Sequence, residues 1–556
     1  MSARLGTLSP PGIPARASLR PSPGAAMLAA TVVALGIRLY TLSRPGFLTS
    51  PAEYDDGVYI GAAIRMTQGV MPYHDFGFVQ PPGILLLMSP VALIARVTSP
   101  AAGLALARVL TVAASTACVP LAGNLVRRRG TLATALTCGI LAVYPPDIAS
   151  AHTLLLEPWM NLLCLLGANA AFRDGRLSAR PSRLAWAGIA IGFASVVKFW
   201  AMAPAAVLLA VCLLDRTDGG RLGGRLAVKR AVAYVAGLAG AFVVPLLPFV
   251  AYGPGTFFRS TVAYQAARVG TYTPLSLRLA HITGLTDVLN YYGNLAWAGA
   301  NSLFGQSVVA DTAPATPRLT LPLLAALVLA ALVVAGFVVA RRDTSQAEWF
   351  ALGTAVLAVG AIGIYSAFFY HYPAFPGPWL AIITGIALWR LITGLSISFR
   401  RLAVGFVAVV LAAAAIVQLS EVSKLTLPPG GQRITSMIPP GACVLTDETS
   451  LVISADRFTA AKPGCPVVID SLATTLVLTR GISVQGGANH NAAAIAAWQH
   501  LLLQAPYVWL SPNHWRRIPF GWNTSQWAWF TAHFEQVVPS KPGDWIRGVG
   551  QLFVRR

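Results

Sequence analysis

The sequence predicts a polytopic α-helical membrane protein with about eleven transmembrane helices and a C-terminal extracytoplasmic α/β domain. Three observations predict it. Of 556 residues, 55% are hydrophobic and only 11% charged, against about 25% charged in soluble domains. Apolar runs near 20 residues recur along the chain, the length that a hydrocarbon core of about 30 Å requires. From about residue 421 onward these runs cease and short strand and helix patterns replace them. A soluble multidomain enzyme and a disordered or fibrous chain are excluded by the apolar load. The alternating ten-residue strands of an outer-membrane barrel are missing.

Residues 1–26 are Pro/Ser/Arg-rich and no small-residue cleavage site follows the first apolar run, so they read as a disordered cytoplasmic tail before a signal anchor. Spans are expected near 27–43, 102–125, 131–146, 153–172, 184–200, 202–214, 231–252, 320–340, 348–368, 374–392 and 402–420. Ile84 to Val97 is too short for a span and contains Pro90, so it reads as an interfacial or re-entrant segment. Basic clusters orient the chain. Arg127–Arg129, then Arg173, Arg176, Arg180 and Arg183, then Arg216, Arg221, Arg225, Lys229 and Arg230, then Arg341, Arg342, Arg390, Arg400 and Arg401 all fall on one side if the N-terminus is cytoplasmic. The charge balance of +21 is thus explained largely by membrane orientation, and no nucleic acid is called for. An odd span count places the C-terminal part outside, with large outer loops near 44–101 and 253–319. In residues 421–556, Ala442–Thr446, Pro466–Asp470, Tyr507–Leu510 and Gln551–Arg555 read as strands, and Asn491–Gln504 and Ser525–Phe534 as helices.

Cys118, Cys138, Cys164 and Cys212 lie in expected spans and read as packing residues. Cys443 and Cys465 are the only pair in the outer domain and are candidates for a disulfide, the alternative being two buried thiols. Trp498, Trp509, Trp515, Trp522, Trp527 and Trp529 are among the tryptophans of that domain, where they suit either a glycan surface or core packing.

With only 20 acids in the chain, their placement is informative. Glu53, Asp55, Asp56 and Asp75 share the first outer loop, and Glu157 lies just inside a span. A carboxylate there is costly against lipid, so Glu157 is expected to face a polar cavity or to satisfy its helix N-terminus. Asp55 and Asp56 could cap a helix starting near Gly57, but one cap needs only one acid and two adjacent carboxylates repel. Lys198 and Arg108 lie near the outer ends of spans, far from the cytoplasmic clusters. Cations so placed commonly bind phosphate or snorkel. His371 and Tyr372, on a late outer turn, could join the same mouth.

These residues resemble a family. Asp55-Asp56-Gly57-Val58-Tyr59, continuing through Arg65, is similar to the acidic-pair-then-Tyr motif of GT-C type polyprenyl-phosphate-sugar-dependent glycosyltransferases: protein O-mannosyltransferases, the lipid A aminoarabinose transferase and actinobacterial relatives. Gln80-Pro81-Pro82-Gly83 resembles the family's Lys-Pro-Pro-Leu segment, and Ala107-Arg108-Val109-Leu110 its Arg-containing second span. Tyr144-Pro145-Pro146, Glu157, Lys198 and His371-Tyr372-Pro373 follow in family order, and Thr446-Asp447-Glu448 resembles the tail of actinobacterial members. Two departures stand out: the family's pair is usually Asp-Glu, and its Lys is Gln80 here.

The resemblance implies a catalytic membrane domain over 27–420. It implies transfer of a sugar, mannose or similar, from a polyprenyl-phosphate donor to a protein, glycan or lipid hydroxyl at the outer face of the cytoplasmic membrane, with inversion. Asp55 would be the general base and Asp56 would orient acceptor or sugar. Lys198, helped by Arg108, would neutralise the phosphate, with His371 and Tyr372 as further phosphate or sugar contacts. Glu157, with Tyr59, would support the sugar, or Glu157 a divalent metal. The rival reading is a transporter or flippase for lipid-linked sugars. That reading expects unusual charges near the membrane midplane in related halves, whereas here they gather at the outer loops.

Overall fold

The computed structural model describes residues 22–215, 221–267, 274–285, 317–339, 343–365, 368–425, 427, 432–458, 464–478, 491–511, 524–538 and 550–556. Most of the expected tail and of the loop near 253–319, with Arg216, Arg341, Arg342, Trp515 and Trp522, lies outside them.

Each expected span has a helix. They are α1 (Pro23–Leu42), α4 (Pro100–Val126), α5 (Thr131–Ala142), α7 (Leu156–Ala171), α8 (Pro181–Val197), α9 (Met202–Leu214), α10 (Arg221–Tyr252), α11 (Pro317–Val339), α12 (Gln346–Ile364), α13 (Gly377–Thr393) and α14 (Ile397–Ser423). Six of the described helices are long and apolar enough to cross a membrane, or seven if one bent pair is a single span. The protein is a multi-pass membrane protein. Local chemistry sets the helix starts. Ser22 and Ser99 accept hydrogen bonds from Ala25 and Ala102 ahead of Pro23 and Pro100, and Ser345 with Glu348 forms a capping box.

The span expected over 131–146 is corrected. Helix α5 stops at Ala142, and α6 (Pro145–Ala151) departs from it at 53°, because neither Pro145 nor Pro146 can donate to the preceding turn. Ile84–Val97 belongs to α3 (Gly83–Val97), a 15-residue helix with Pro90 inside it.

One end of the bundle is tied by arginines. Glu348 accepts from Arg129 Nε at 2.7 Å and from Arg390 Nη2 at 2.8 Å, and Arg129 also bonds Asp343. The opposite end carries α2 (Tyr54–Thr67), which connects the bundle to the C-terminal part. Three faces of α2 meet three different partners. Arg108 of α4 donates through Nε and Nη2 to Asp56 Oδ2 at 3.0 and 2.6 Å, and through Nη1 to the carbonyls of Phe47 and Ser50. Both side chains are fully buried.

The C-terminal part is a four-stranded sheet with helices. β1 (Val444–Thr446) runs parallel to β2 (Tyr507–Leu510), and β4 (Gln551–Arg555) pairs antiparallel with both β2 and β3 (Phe534–Val538), giving the order β1-β2-β4-β3. Helices α15 (Thr449–Ser454), α16 (Ser471–Leu478), α17 (Ala492–Gln504) and α18 (Thr524–His533) surround it. Two expectations are corrected. Pro466–Asp470 is not a strand; Asp470 instead caps α16 by accepting from the Ala473 amide at 2.9 Å. Phe534 opens β3 instead of closing a helix, because its ring stacks 4.7 Å from Phe530 inside the core. Trp498 and Trp509 are core residues, fully buried, and so do not form a glycan surface. Cys443 and Cys465 are bonded, and the other four cysteines are free and buried.

Two outcomes follow from this architecture. The bridge closes a loop across a sequence separation of 22, worth about 3 kcal/mol by loop-closure entropy. Thiol alkylation of the unfolded protein should therefore add two labels only after reduction, and Cys443→Ser should lower stability by about that amount. Arg108→Met should cost about 3–5 kcal/mol, since it strands Asp56 as a buried lone carboxylate. Adding Asp56→Leu should recover most of the loss in detergent thermal unfolding.

Candidate active site

The site is built on the first turn of α2. Glu53 caps that helix through its own side chain, which accepts from the Tyr54 amide at 3.1 Å. The helix thus begins three residues before the start near Gly57 that the sequence suggested, and Asp55 and Asp56 fall inside the first turn. Adjacent helical residues diverge by about 100°, so the two acids part company. Asp56 turns into the bundle to Arg108. Asp55 stays half-buried and accepts from the Tyr59 hydroxyl at 3.1 Å, one helical turn along the same face. Burial and the Asp55 charge hold the Tyr59 phenol well above its ordinary range. Tyr59 is therefore a donor to Asp55 and not a base.

A second cluster lies within electrostatic reach of Tyr59. Lys198 Nζ donates to Glu157 Oε1 at 2.5 Å, and His371 Nδ1 lies 3.0 Å from Glu157 Oε2. The ammonium sits 4.0 Å from the Trp200 ring centroid and 4.3 Å from that of Tyr372, and these two rings meet edge-on at 4.5 Å. Local backbone explains the convergence. Lys198 is the extended residue that breaks α8 from the short 3-10 turn Phe199–Ala201, which frees its side chain from either helix. Glu157 and Asn161 lie one turn apart on α7, and Asn161 donates to the Ala374 carbonyl at 2.7 Å, holding the turn that carries His371. Gly83 packs against the backbone of Val196 and Val197, where a Cβ would come within 2.5 Å.

The sequence-predicted residues therefore form two groups. Asp55 and Tyr59 lie on one, and Lys198, Glu157, His371 and Tyr372 on the other, with Tyr59 between. Arg108 gives four of its five N–H groups to Asp56 and two carbonyls, and so positions α2. Asp56, fully buried in that pair, holds α2 to α4. Among the described residues, no group of three or more His, Cys, Asp or Glu side chains could hold a metal ion.

Sequence reasoning missed the contribution of the C-terminal part. Tyr54 donates to Asp470 Oδ1 at 3.0 Å and accepts from the Ser471 amide at 3.1 Å. Gly57 packs on Ser450, where a Cβ would meet the backbone nitrogen at 2.2 Å, and Arg65 lies 4.2 Å from the Phe458 ring. Glu448, fully buried, accepts from Ser450 Oγ at 2.6 Å. Burial pushes its carboxyl well above the ordinary range, and the nearby Asp447 and Asp56 charges add to the rise. The signal available was Glu448 itself, one of few acids in the chain.

No protein-family model and no curated protein matches the sequence. Solved structures do match the fold. ArnT from Cupriavidus metallidurans bound to undecaprenyl phosphate aligns over 95% of this chain and 97% of its own, with a TM-score of 0.56 and 14% identity. The archaeal oligosaccharyltransferase AglB from Archaeoglobus fulgidus, in complex with an inhibitory peptide and a dolichol-phosphate, aligns over 88% of this chain and 69% of its own, with a TM-score of 0.51 and 13% identity. The resemblance read from the motifs and the similarity of the whole chain agree: this protein has the GT-C fold of membrane glycosyltransferases.

Proposed function

We propose that the protein transfers a sugar from a polyprenyl-phosphate donor to an acceptor hydroxyl, using Asp55 as general base. One observation carries this reading. Of the adjacent acids, Asp56 is fully buried with its Oδ2 paired to Arg108, whereas Asp55 is half-buried and, among the described residues, accepts from the Tyr59 hydroxyl. That leaves one carboxylate accessible beside a cluster containing a lysine and a histidine. The two solved proteins named above were captured with polyprenyl-type phosphates, which supports the donor class.

The chemistry follows from charge development. Asp55 accepts the proton of the attacking hydroxyl as its oxygen bonds to the sugar's anomeric carbon. The bond from that carbon to the phosphate oxygen breaks, and the leaving phosphate takes the electron pair. Negative charge grows on that oxygen, so a cation held in advance lowers the barrier. Lys198 has three N–H donors and gives one to Glu157, leaving others for phosphate. Tyr372 and Trp200 exclude water from around it. His371 sits against the same Glu157 and supports phosphate or sugar. The acid-bearing end then faces outward, with the arginine-rich end and N-terminus cytoplasmic and the C-terminal domain outside. Mannose is the first donor to screen, followed by arabinose, glucose and galactose.

Asp55→Asn should reduce transfer from a radiolabelled polyprenyl-phosphate sugar in membranes by about 10²–10⁴-fold, the usual worth of a general base; retained transfer would remove Asp55 from that role. Lys198→Ala should raise the donor KM more than the acceptor KM, and the reverse would end its assignment to phosphate.

A further inference from the structure

Glu53 has no part in the chemistry above, yet it joins the two halves of the site. It is 8% exposed. Its Oε1 accepts from the Tyr54 amide as the cap of α2, and its Oε2 accepts from the Tyr370 hydroxyl at 2.6 Å. Tyr370 immediately precedes His371 and Tyr372, which flank Glu157 and Lys198. One side chain thus spans from the helix that carries Asp55 to the turn that carries the phosphate-side cluster.

We propose that Glu53 is a positioning residue that sets the separation between the Asp55 base and the Lys198–His371–Tyr372 cluster. The inference rests on the transferase reading and names a residue for it beyond the motif. The surroundings favour the neutral form of the carboxyl. Burial raises its pKa well above the ordinary carboxylate range, and Asp55, Asp56 and Glu448 raise it further, against the opposing effect of the Tyr370 bond. Among the described residues, Asp56 is the one of these three acids with a cation against it, Arg108. An ionised Glu53 would repel Asp55 and push α2 away from the turn. Between the ordinary carboxylate range and the raised value, the folded chain keeps a proton that the unfolded chain has released. Stability and geometry are both lost as pH rises through that window.

The test compares Glu53→Ala, Glu53→Gln and Tyr370→Phe in the full-length protein, with Asp55→Asn as control. Glu53→Ala should lower kcat on the order of tenfold to a hundredfold, the usual cost of a misplaced reacting group, with little change in donor KM. Glu53→Gln, neutral and planar, should recover most of that loss. The wild-type alkaline limb of kcat should move to higher pH in Glu53→Gln. Independently of activity, hydrogen–deuterium exchange across residues 368–375 should rise in Glu53→Ala and Tyr370→Phe but not in Glu53→Gln. The proposal is overturned if Glu53→Ala leaves rate and exchange unchanged, if Gln is as damaging as Ala, or if the alkaline limb does not move. Normal transfer by Asp55→Asn would instead remove Asp55 as the base, absence of transfer by the wild type would sink the transferase reading, and in either case the exchange measurement would still decide whether Glu53 holds the turn.

Discussion

The buried pair between Arg108 and Asp56 is the contact on which the rest of the site depends. Both groups are removed from water entirely, and an ion pair so placed contributes little net stability while fixing geometry strongly. Here the geometry fixed is the rotation of α2. With Asp56 held against α4, the helical repeat turns Asp55 and Tyr59 toward the Lys198 cluster. The same rotation turns Tyr54, Gly57, Gly61 and Arg65 toward the C-terminal part, where they meet Asp470, Ser450, Thr449 and Phe458. A rotation by one residue would exchange the roles of the two acids.

The second cluster shows how a cation can be kept near apolar helices. Lys198 is nearly enclosed, and a lone ammonium there would be expensive to hold. Glu157 offsets the charge, and two aromatic faces add cation–π attraction of about 0.5–2 kcal/mol each. Glu157 is in turn shared with His371, so it carries no unbalanced charge into the bundle.

Much of this was legible in the sequence because charge is so rare in it. Hydropathy placed each of its apolar runs on a described helix, and the isolated positions of Asp55, Glu157, Lys198 and His371 marked ionisable residues near the candidate site. What stayed hidden depended on distant pairing. Nothing near Arg108 in the sequence says that it will spend its donors on an acid 52 positions earlier, and a phosphate role was the reasonable reading of an isolated cation. Glu53 looked like one acid among four, since Tyr370, its partner, lies 317 positions away. Secondary structure failed where tertiary contacts overrode local pattern: Pro466–Asp470 carries a β-branched run, Val467-Val468-Ile469, but Asp470 is taken by the cap of α16 and by Tyr54. The proline pair after α5 was visible, but the 53° bend it causes is a property of the folded bundle.

The close seat of α2 on Ser450, made possible by Gly57, sets an order of events during synthesis. Gly57 and its partner are separated by roughly 390 residues, so at about 5–20 residues per second the ribosome needs about 20–80 s between them. Throughout that interval α2 can be gripped by α4 but lacks Ser450, Asp470 and Phe458 on its other side. The glycine that makes room for the late-arriving segment also weakens the helix by about 1 kcal/mol relative to alanine, so the half-clamped α2 is the least secure part of the nascent chain. The helix that carries Asp55 is clamped on both sides only once the segment around Ser450 and Asp470 has been made and folded.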